Sequence, residues 1–152
     1  MRGLILRARR LRDAKDRTWS RDQSGLAAME FAFVAPVLLV LVFGVVVFSI
    51  YLATWIGVVH AAAEGARASV AGLTAAERQS LAATRVQAML AGFQPLLDPA
   101  QAVVTYPATT AGLFSVTVTY PITALGLSGY ASLAPVPTIS PSRTATVTTG
   151  GY

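Results

Sequence analysis

Glu30 is the residue in this chain that most needs a chemical reason. It follows Gly25 by five positions, in Ser24-Gly25-Leu26-Ala27-Ala28-Met29-Glu30-Phe31, and opens a long apolar run. Phe31–Val59 behind it contains no Asp, Glu, Lys, Arg or His. A charge at the centre of a membrane helix costs on the order of 2.5–3.5 kcal/mol on insertion scales. An acid kept at the edge of such a run therefore calls for an interface or a cation. Three arrangements satisfy it: the carboxylate reaches the polar boundary of the membrane, pairs within its own chain at i,i−4, or pairs with a cation on another molecule.

The remaining ionisable groups offer little further chemistry. Glu64 and Arg67 stand at i,i+3 and can pair at the wet end of the run, for a few tenths of a kcal/mol. His60 is a lone histidine beside the apolar segment, and without a second ligand no metal site is expected. There is no cysteine, which removes disulfides, thiolate catalysis and thiolate metal sites. Beyond the apolar run the acids are Glu64, Glu77 and Asp98, and no pair has the spacing of a general acid and base. No glycine-rich phosphate loop with its lysine is present, and the many Ser and Thr residues lack an accompanying base. We therefore expect no enzymatic activity and no cofactor.

The elements that must position Glu30 follow from charge and hydropathy. The net charge of +5 over 152 residues is confined to the start of the chain. Residues 1–25 hold eight basic side chains (Arg2, Arg7, Arg9, Arg10, Arg12, Lys15, Arg17, Arg21) against three acidic ones, and the rest of the chain balances. The basic excess thus describes a leader and not a nucleic-acid surface. A membrane-spanning helix needs roughly 20 apolar residues. Phe31–Val59 exceeds that length, and it exceeds the ~7–15-residue core of a secretory signal. Arg9–Arg10 lies too far ahead of the run to read as a twin-arginine signal. The basic leader belongs on the cytoplasmic side, so the remainder after about Val59 is expected outside. Pro36 removes a hydrogen bond to the Ala32 carbonyl and is expected to bend or loosen the first turns.

A basic leader ending in Gly25, then Leu26-Ala27-Ala28-Met29-Glu30-Phe31, then a long apolar helix resembles the type IV prepilin signal. It is closest to the G-x-x-x-x-E-F/Y form of tight-adherence (Flp-type) pilus systems. AAMEFAFVAPVLLVLVFGVVVFSIYLA is similar to the anchor of the TadE-like pseudopilin family, and AAAEGARASVAG, residues 61–72, resembles that family's patch after the anchor. Strands of the type FSVTVTYPI and SRTATVT fit more loosely. A plain alanine run departs from the pattern by replacing the usual bulky residue before the patch.

The resemblance implies cleavage after Gly25 by a membrane-embedded prepilin peptidase, making Glu30 the fifth residue of the mature chain. Gly25 suits such a site because it has no side chain and tolerates conformations that other residues resist. Leu26 would then carry a new amine with a pKa near 8, mostly protonated at neutral pH. A helix N-terminus favours a nearby carboxylate by roughly 0.3–1 kcal/mol. In such pilins, the resemblance implies, the carboxylate pairs with the terminal amine of a neighbouring subunit, with Phe31 completing the recognition sequence.

Ser49, Ala53, Gly57, Ala61, Gly65 and Ser69 recur at four-residue spacing. Small residues at i,i+4 let helices approach closely. The stripe drifts by about 40° per step, so three or four rungs can face one neighbouring helix.

Past the anchor, LTAAERQSLAATRVQAMLAGF predicts a second helix. Thr74 and Glu77 have capping-box spacing, Ala82, Val86, Met89 and Phe93 form the apolar stripe, and Gly92 with Pro95 marks the stop. The period then becomes two. Ala102–Tyr106 is a plausible strand, Phe114, Val116, Val118 and Tyr120 alternate with Ser115, Thr117 and Thr119, and Arg143–Thr149 alternates weakly. The segment between the last two strands, with Gly126, Gly129, Pro135, Pro137 and Pro141, reads as turns.

The expected fold class is α+β. It comprises a basic leader, 1–25; a transmembrane helix with an outer extension, 26–72; and a small outer domain of one helix and about three antiparallel strands, 73–152. The expected role is that of a minor pseudopilin in assembly or initiation of a tight-adherence pilus or related secretion filament. The length departs from that of a major Flp pilin, which the resemblance implies is much shorter, and from larger members with an added domain. The expected location is the inner membrane, single pass. The expected partners are the lipid bilayer, the prepilin peptidase, other pilin or pseudopilin subunits and inner-membrane pilus assembly proteins. The competing reading is an uncleaved signal-anchored envelope protein whose outer domain is a binding module.

Overall fold

A computed structural model describes residues 2–133 and 135–149, with side chains from Gly25 onward. The chain divides into two units, 1–42 and 43–152. Helix α1 (Arg2–Ser69) supplies the described part of the first and begins the second. In the first unit, Gly25–Val42 presents its side chains outward, with only Ala35 half-buried. Pro36 lies inside α1, and the helix continues through it without a break. The expected loosening therefore does not interrupt the helix, since one missing backbone bond leaves its neighbours in place. One stretch of α1, Gly25–Ser69, is long and apolar enough to cross a membrane.

In the second unit α1 stops at Ser69, whose hydroxyl turns back to donate to the Ala66 carbonyl at 2.7 Å. A tight turn follows, with the Gly72 N–H donating to the Ser69 carbonyl at 3.1 Å. Arg78 packs over Gly72 and its Nε donates to the Gly72 carbonyl at 2.9 Å. A Cβ on Gly72 would stand 2.7 Å from the Arg78 backbone nitrogen, so only glycine fits this turn.

Helix α2 (Ala75–Ala91) starts where the capping signal lies. The Thr74 hydroxyl accepts from the Glu77 N–H at 3.2 Å. The Glu77 carboxylate reaches back one residue beyond the cap, accepting from the Leu73 N–H at 2.9 Å. Both satisfy donors that the helix start leaves without intrahelical partners. Ala82, Val86 and Leu90 form its buried face, with Met89 and Phe93 half-buried beside it.

Three strands complete the unit: β1 (Val103–Thr105), β2 (Leu113–Thr119) and β3 (Ser142–Thr148). They form an antiparallel meander in the order β1-β2-β3, with Val104 opposite Val118 and Val116 opposite Ala145. The alternation in β2 is used as the sequence predicts. Val116 and Val118, with Tyr120 just past the strand, are buried against Val58, Ala61, Ala62 and Ala66 of α1 and the apolar face of α2. The other sheet face pairs hydroxyls across the strands: Ser115 with Thr146, Thr117 with Thr144 and Thr119 with Ser142, each at 2.7 Å. A three-stranded sheet packed on helices escapes the marginal stability of a bare hairpin. The turn-rich stretch contains two short 3-10 helices, Ile122–Leu125 and Leu127–Tyr130, joined at Gly126 in the left-handed region (φ 65°). A third, Pro99–Gln101, precedes β1.

Two tyrosines tie the layers together. The Tyr120 hydroxyl accepts from the Asp98 N–H at 3.0 Å. The Tyr106 hydroxyl donates to the Gln79 carbonyl of α2 at 2.9 Å, and its ring lies 5.8 Å from that of Phe114. Burial pushes the Tyr106 phenol above its ordinary pKa. The folded chain therefore holds that proton more tightly than the unfolded chain does. This contribution to stability is complete below about pH 10, the unfolded value, and is lost as pH rises through the folded value. Alkaline unfolding monitored by circular dichroism is expected to show this loss above about pH 10. The Tyr106→Phe variant is expected to be less pH-sensitive there.

Candidate processing site and packing surfaces of the long helix

Gly25 through Phe31 all lie on α1 and are exposed. Leu26 and Glu30, four residues apart, share one face about 6 Å apart along the axis. The Glu30 carboxylate therefore stands one turn from the Leu26 backbone. Among the described residues no cation forms an ion pair with Glu30.

Gly25 has no packing reason to be glycine among the described residues. A Cβ added there would meet nothing within 4 Å, a property it shares with Gly44. Two other glycines of α1 are different. A Cβ on Gly57 would stand 3.0 Å from Leu97 Cδ1 and 3.6 Å from the Phe93 ring. On Gly65 it would stand 2.7 Å from Val86 Cγ2 and 3.3 Å from the Ala82 carbonyl oxygen. A contact under 3.0 Å against a side chain held in the core forces the helices apart.

The ladder of small residues accordingly divides. Gly57, Ala61, Gly65 and Ser69 are buried, and the helix that Gly65 meets is the chain's own α2. Ala53 is half-buried, and Ser49 is exposed with its hydroxyl donating to the Val45 carbonyl at 2.7 Å. Thr54, off the ladder, is buried and donates to the Ile50 carbonyl at 2.9 Å.

Glu64 makes the expected pair with Arg67, at 3.0 Å. It also takes a partner that spacing could not reveal: Arg85 of α2, whose Nη2 approaches the second carboxylate oxygen at 3.0 Å. The two guanidiniums are largely exposed, so the bridge contributes at most about 1 kcal/mol. It lies over the Gly65 crossing and marks the orientation in which α2 sits. His60, Ala63, Glu64, Arg67 and Met89 line a shallow cleft beside it. Among the described residues no group of three His, Cys, Asp or Glu side chains is placed to hold a metal.

The Gly65 crossing can be tested by stability. Gly65→Ala is expected to lower the unfolding midpoint of the unit 43–152, since its methyl group meets Val86. Combining it with Val86→Ala, which empties that space, is expected to cost less than the sum of the two single changes. A coupling of about 0.5–3 kcal/mol is usual for residues in contact. Strict additivity in denaturant unfolding would show that the two do not touch.

Residues 25–67 match the family model described as TadE-like protein. The chain thus carries a TadE-like segment along its long helix. Neither the curated proteins nor the solved structures gave a match.

Proposed function

We propose that this chain, with its TadE-like segment beginning at Gly25, is a minor pseudopilin of a tight-adherence pilus or related secretion filament. A prepilin peptidase cuts it between Gly25 and Leu26. Residues 1–25 are the cytoplasmic leader that is removed, 26–72 the anchor and its outer extension, and 73–152 the outer domain. The mature protein sits in the inner membrane with its C-terminus outside, among pilin subunits and the inner-membrane assembly proteins.

The observation that carries the reading is the coincidence of three features at one place. The family match starts at Gly25, a glycine that no described packing contact requires, and Glu30 follows five residues later at the head of the apolar run. Cleavage creates an ammonium at Leu26. An ammonium and a carboxylate brought together in lipid offset each other's desolvation when the geometry is good, whereas either alone is costly. Glu30 of one subunit and the new amine of the next thus set the register at which a subunit enters the filament. Phe31, exposed beside Glu30, presents an apolar ring to the peptidase or to a neighbouring anchor. The exposed Ser49 and the half-buried Ala53 remain the small rungs of α1 open to such a neighbour.

The test is the mass of the mature protein isolated from membranes, with two variants. The wild-type chain is expected to lack residues 1–25 and to begin at Leu26. Gly25→Leu adds a side chain where nothing is within 4 Å, so the fold is expected to persist while full-length protein accumulates. Glu30→Gln is expected to be cleaved but poorly incorporated. Loss of a hydrogen bond to a charged group costs about 1.5–3 kcal/mol, roughly ten- to a hundredfold in occupancy. A functional wild-type pool that keeps its leader would instead identify a signal-anchored binding module.

A further inference from the structure

We propose that the chain following β2, residues 127–133 and 135–139, docks into the outer leaflet of the membrane beside the emerging helix. The bilayer is then gripped by a second, non-spanning element as well as by the anchor. The inference rests on α1 being the span, but it concerns a different part of the chain.

Four observations carry it. First, no Asp, Glu, Lys, Arg or His occurs between Asp98 and Arg143. Second, the segment leaves large apolar side chains in the open: Ile139 is 73% exposed, Leu133 44% and Tyr130 42%.

Third, these residues flank contacts with the apolar run itself. The Tyr130 ring lies 6.2 Å from that of Phe43, and Pro135–Ile139 form one wall of an apolar cleft whose other wall is Phe48 and Tyr51. A span of roughly 20 residues counted from Phe31 extends to Ile50. A segment packed against Phe43 and Phe48 is therefore held at a depth the bilayer occupies. The tyrosine has the amphipathic character of side chains that settle at the headgroup level.

Fourth, part of the segment's backbone needs no partner from outside it. The 3-10 turns satisfy Ala131 N–H with the Ser128 carbonyl at 3.3 Å and Leu133 N–H with the Tyr130 carbonyl at 2.9 Å. Pro135 and Pro137 have no N–H at all. Unsatisfied backbone groups are what ordinarily keep irregular chain out of lipid. An uncharged, exposed apolar surface continuous with the span selects acyl chain and headgroup boundary as its occupant.

The experiment uses the full chain, whose lack of cysteine makes single-site labelling direct. Ile139→Cys, Leu133→Cys, Thr146→Cys and Val40→Cys carry an environment-sensitive fluorophore in phosphatidylethanolamine–phosphatidylglycerol vesicles at high lipid excess. Spin-labelled lipid probes contact with the bilayer and iodide probes water. Labels at 139 and 133 are expected to be blue-shifted and quenched by lipid spin-labelled near the headgroup, several-fold more than at 146 on the hydroxyl face of the sheet. The label at 40 is expected to be quenched by deep spin label. Iodide-accessible labels at 139 and 133, with 40 still quenched from within the bilayer, would overturn the loop contact alone. Labels at 139 and 133 shielded from both lipid and iodide, with a signal that follows protein density, would assign the patch to a second copy and overturn the proposal. A label at 40 that lipid does not reach would overturn the span, and the loop contact with it.

Discussion

The unit 43–152 depends on how closely α2 can lie on α1. Where Val86 of α2 crosses, α1 presents Gly65, and where Phe93 and Leu97 follow, it presents Gly57. Between them Ala61 and Ala62 are fully buried. A larger residue at the crossing would meet Val86 and push α2 away from α1. It would also withdraw Val116, Val118 and Tyr120 of the sheet from the core they share with both helices. Fully burying residues of this size contributes on the order of 1.5–3 kcal/mol each. The small residues add little burial of their own. Their contribution is the space that lets Leu90, Leu97 and the β2 face be buried together.

A stripe of small residues suits two different surroundings. In lipid there is no hydrophobic drive between helices, and small residues bring helix backbones together for van der Waals contact. In water the same residues form a shallow floor on which an amphipathic helix and a sheet bury their apolar sides. The four-residue spacing of Gly57, Ala61, Gly65 and Ser69 is indifferent to which of these is used. The decision comes from the residues opposite. Ala82, Val86 and Leu90 lie on one face of α2 and supply a complementary surface within the same chain.

Polar chemistry is placed at the edges of this core. The Thr74 cap, the Arg78 bond to Gly72 and the Glu64 bridge to Arg85 all lie where the two helices turn and meet. The far face of the sheet is a ladder of hydroxyl pairs, which satisfy one another without charge. Beyond α1 and α2, the charged residues described in this unit are Asp98, which caps the 3-10 helix before β1, and Arg143 in β3. The long stretch from Pro99 to Ser142 stays neutral throughout.

Much of the architecture was legible in the residues because its causes are local. The Thr74–Glu77 capping signal starts α2 at Ala75, and the two-residue alternation of Phe114 to Tyr120 identifies β2 and its buried face. The uncharged run from Phe31 marks the part of α1 long and apolar enough to cross a membrane. All three strands differ from expectation by a residue at their ends, as strand boundaries do when flanking residues compete for hydrogen bonds. The short 3-10 helices after Tyr120 escaped because glycine- and proline-rich sequence encodes a change of direction and not the repeated bonding of each turn. The Arg85 partner of Glu64 escaped because the two are 21 residues apart and no spacing rule connects them. Sequence by itself thus determined the elements, the polarity of the chain and the position of a lone acid after a glycine, since periodicity and charge act within a few residues. Only the tertiary structure decided that α2 is what covers the upper rungs of α1 and that Tyr130 and Ile139 stand beside its apolar run. Those contacts join residues far apart in the chain, and their geometry is set by how whole surfaces fit.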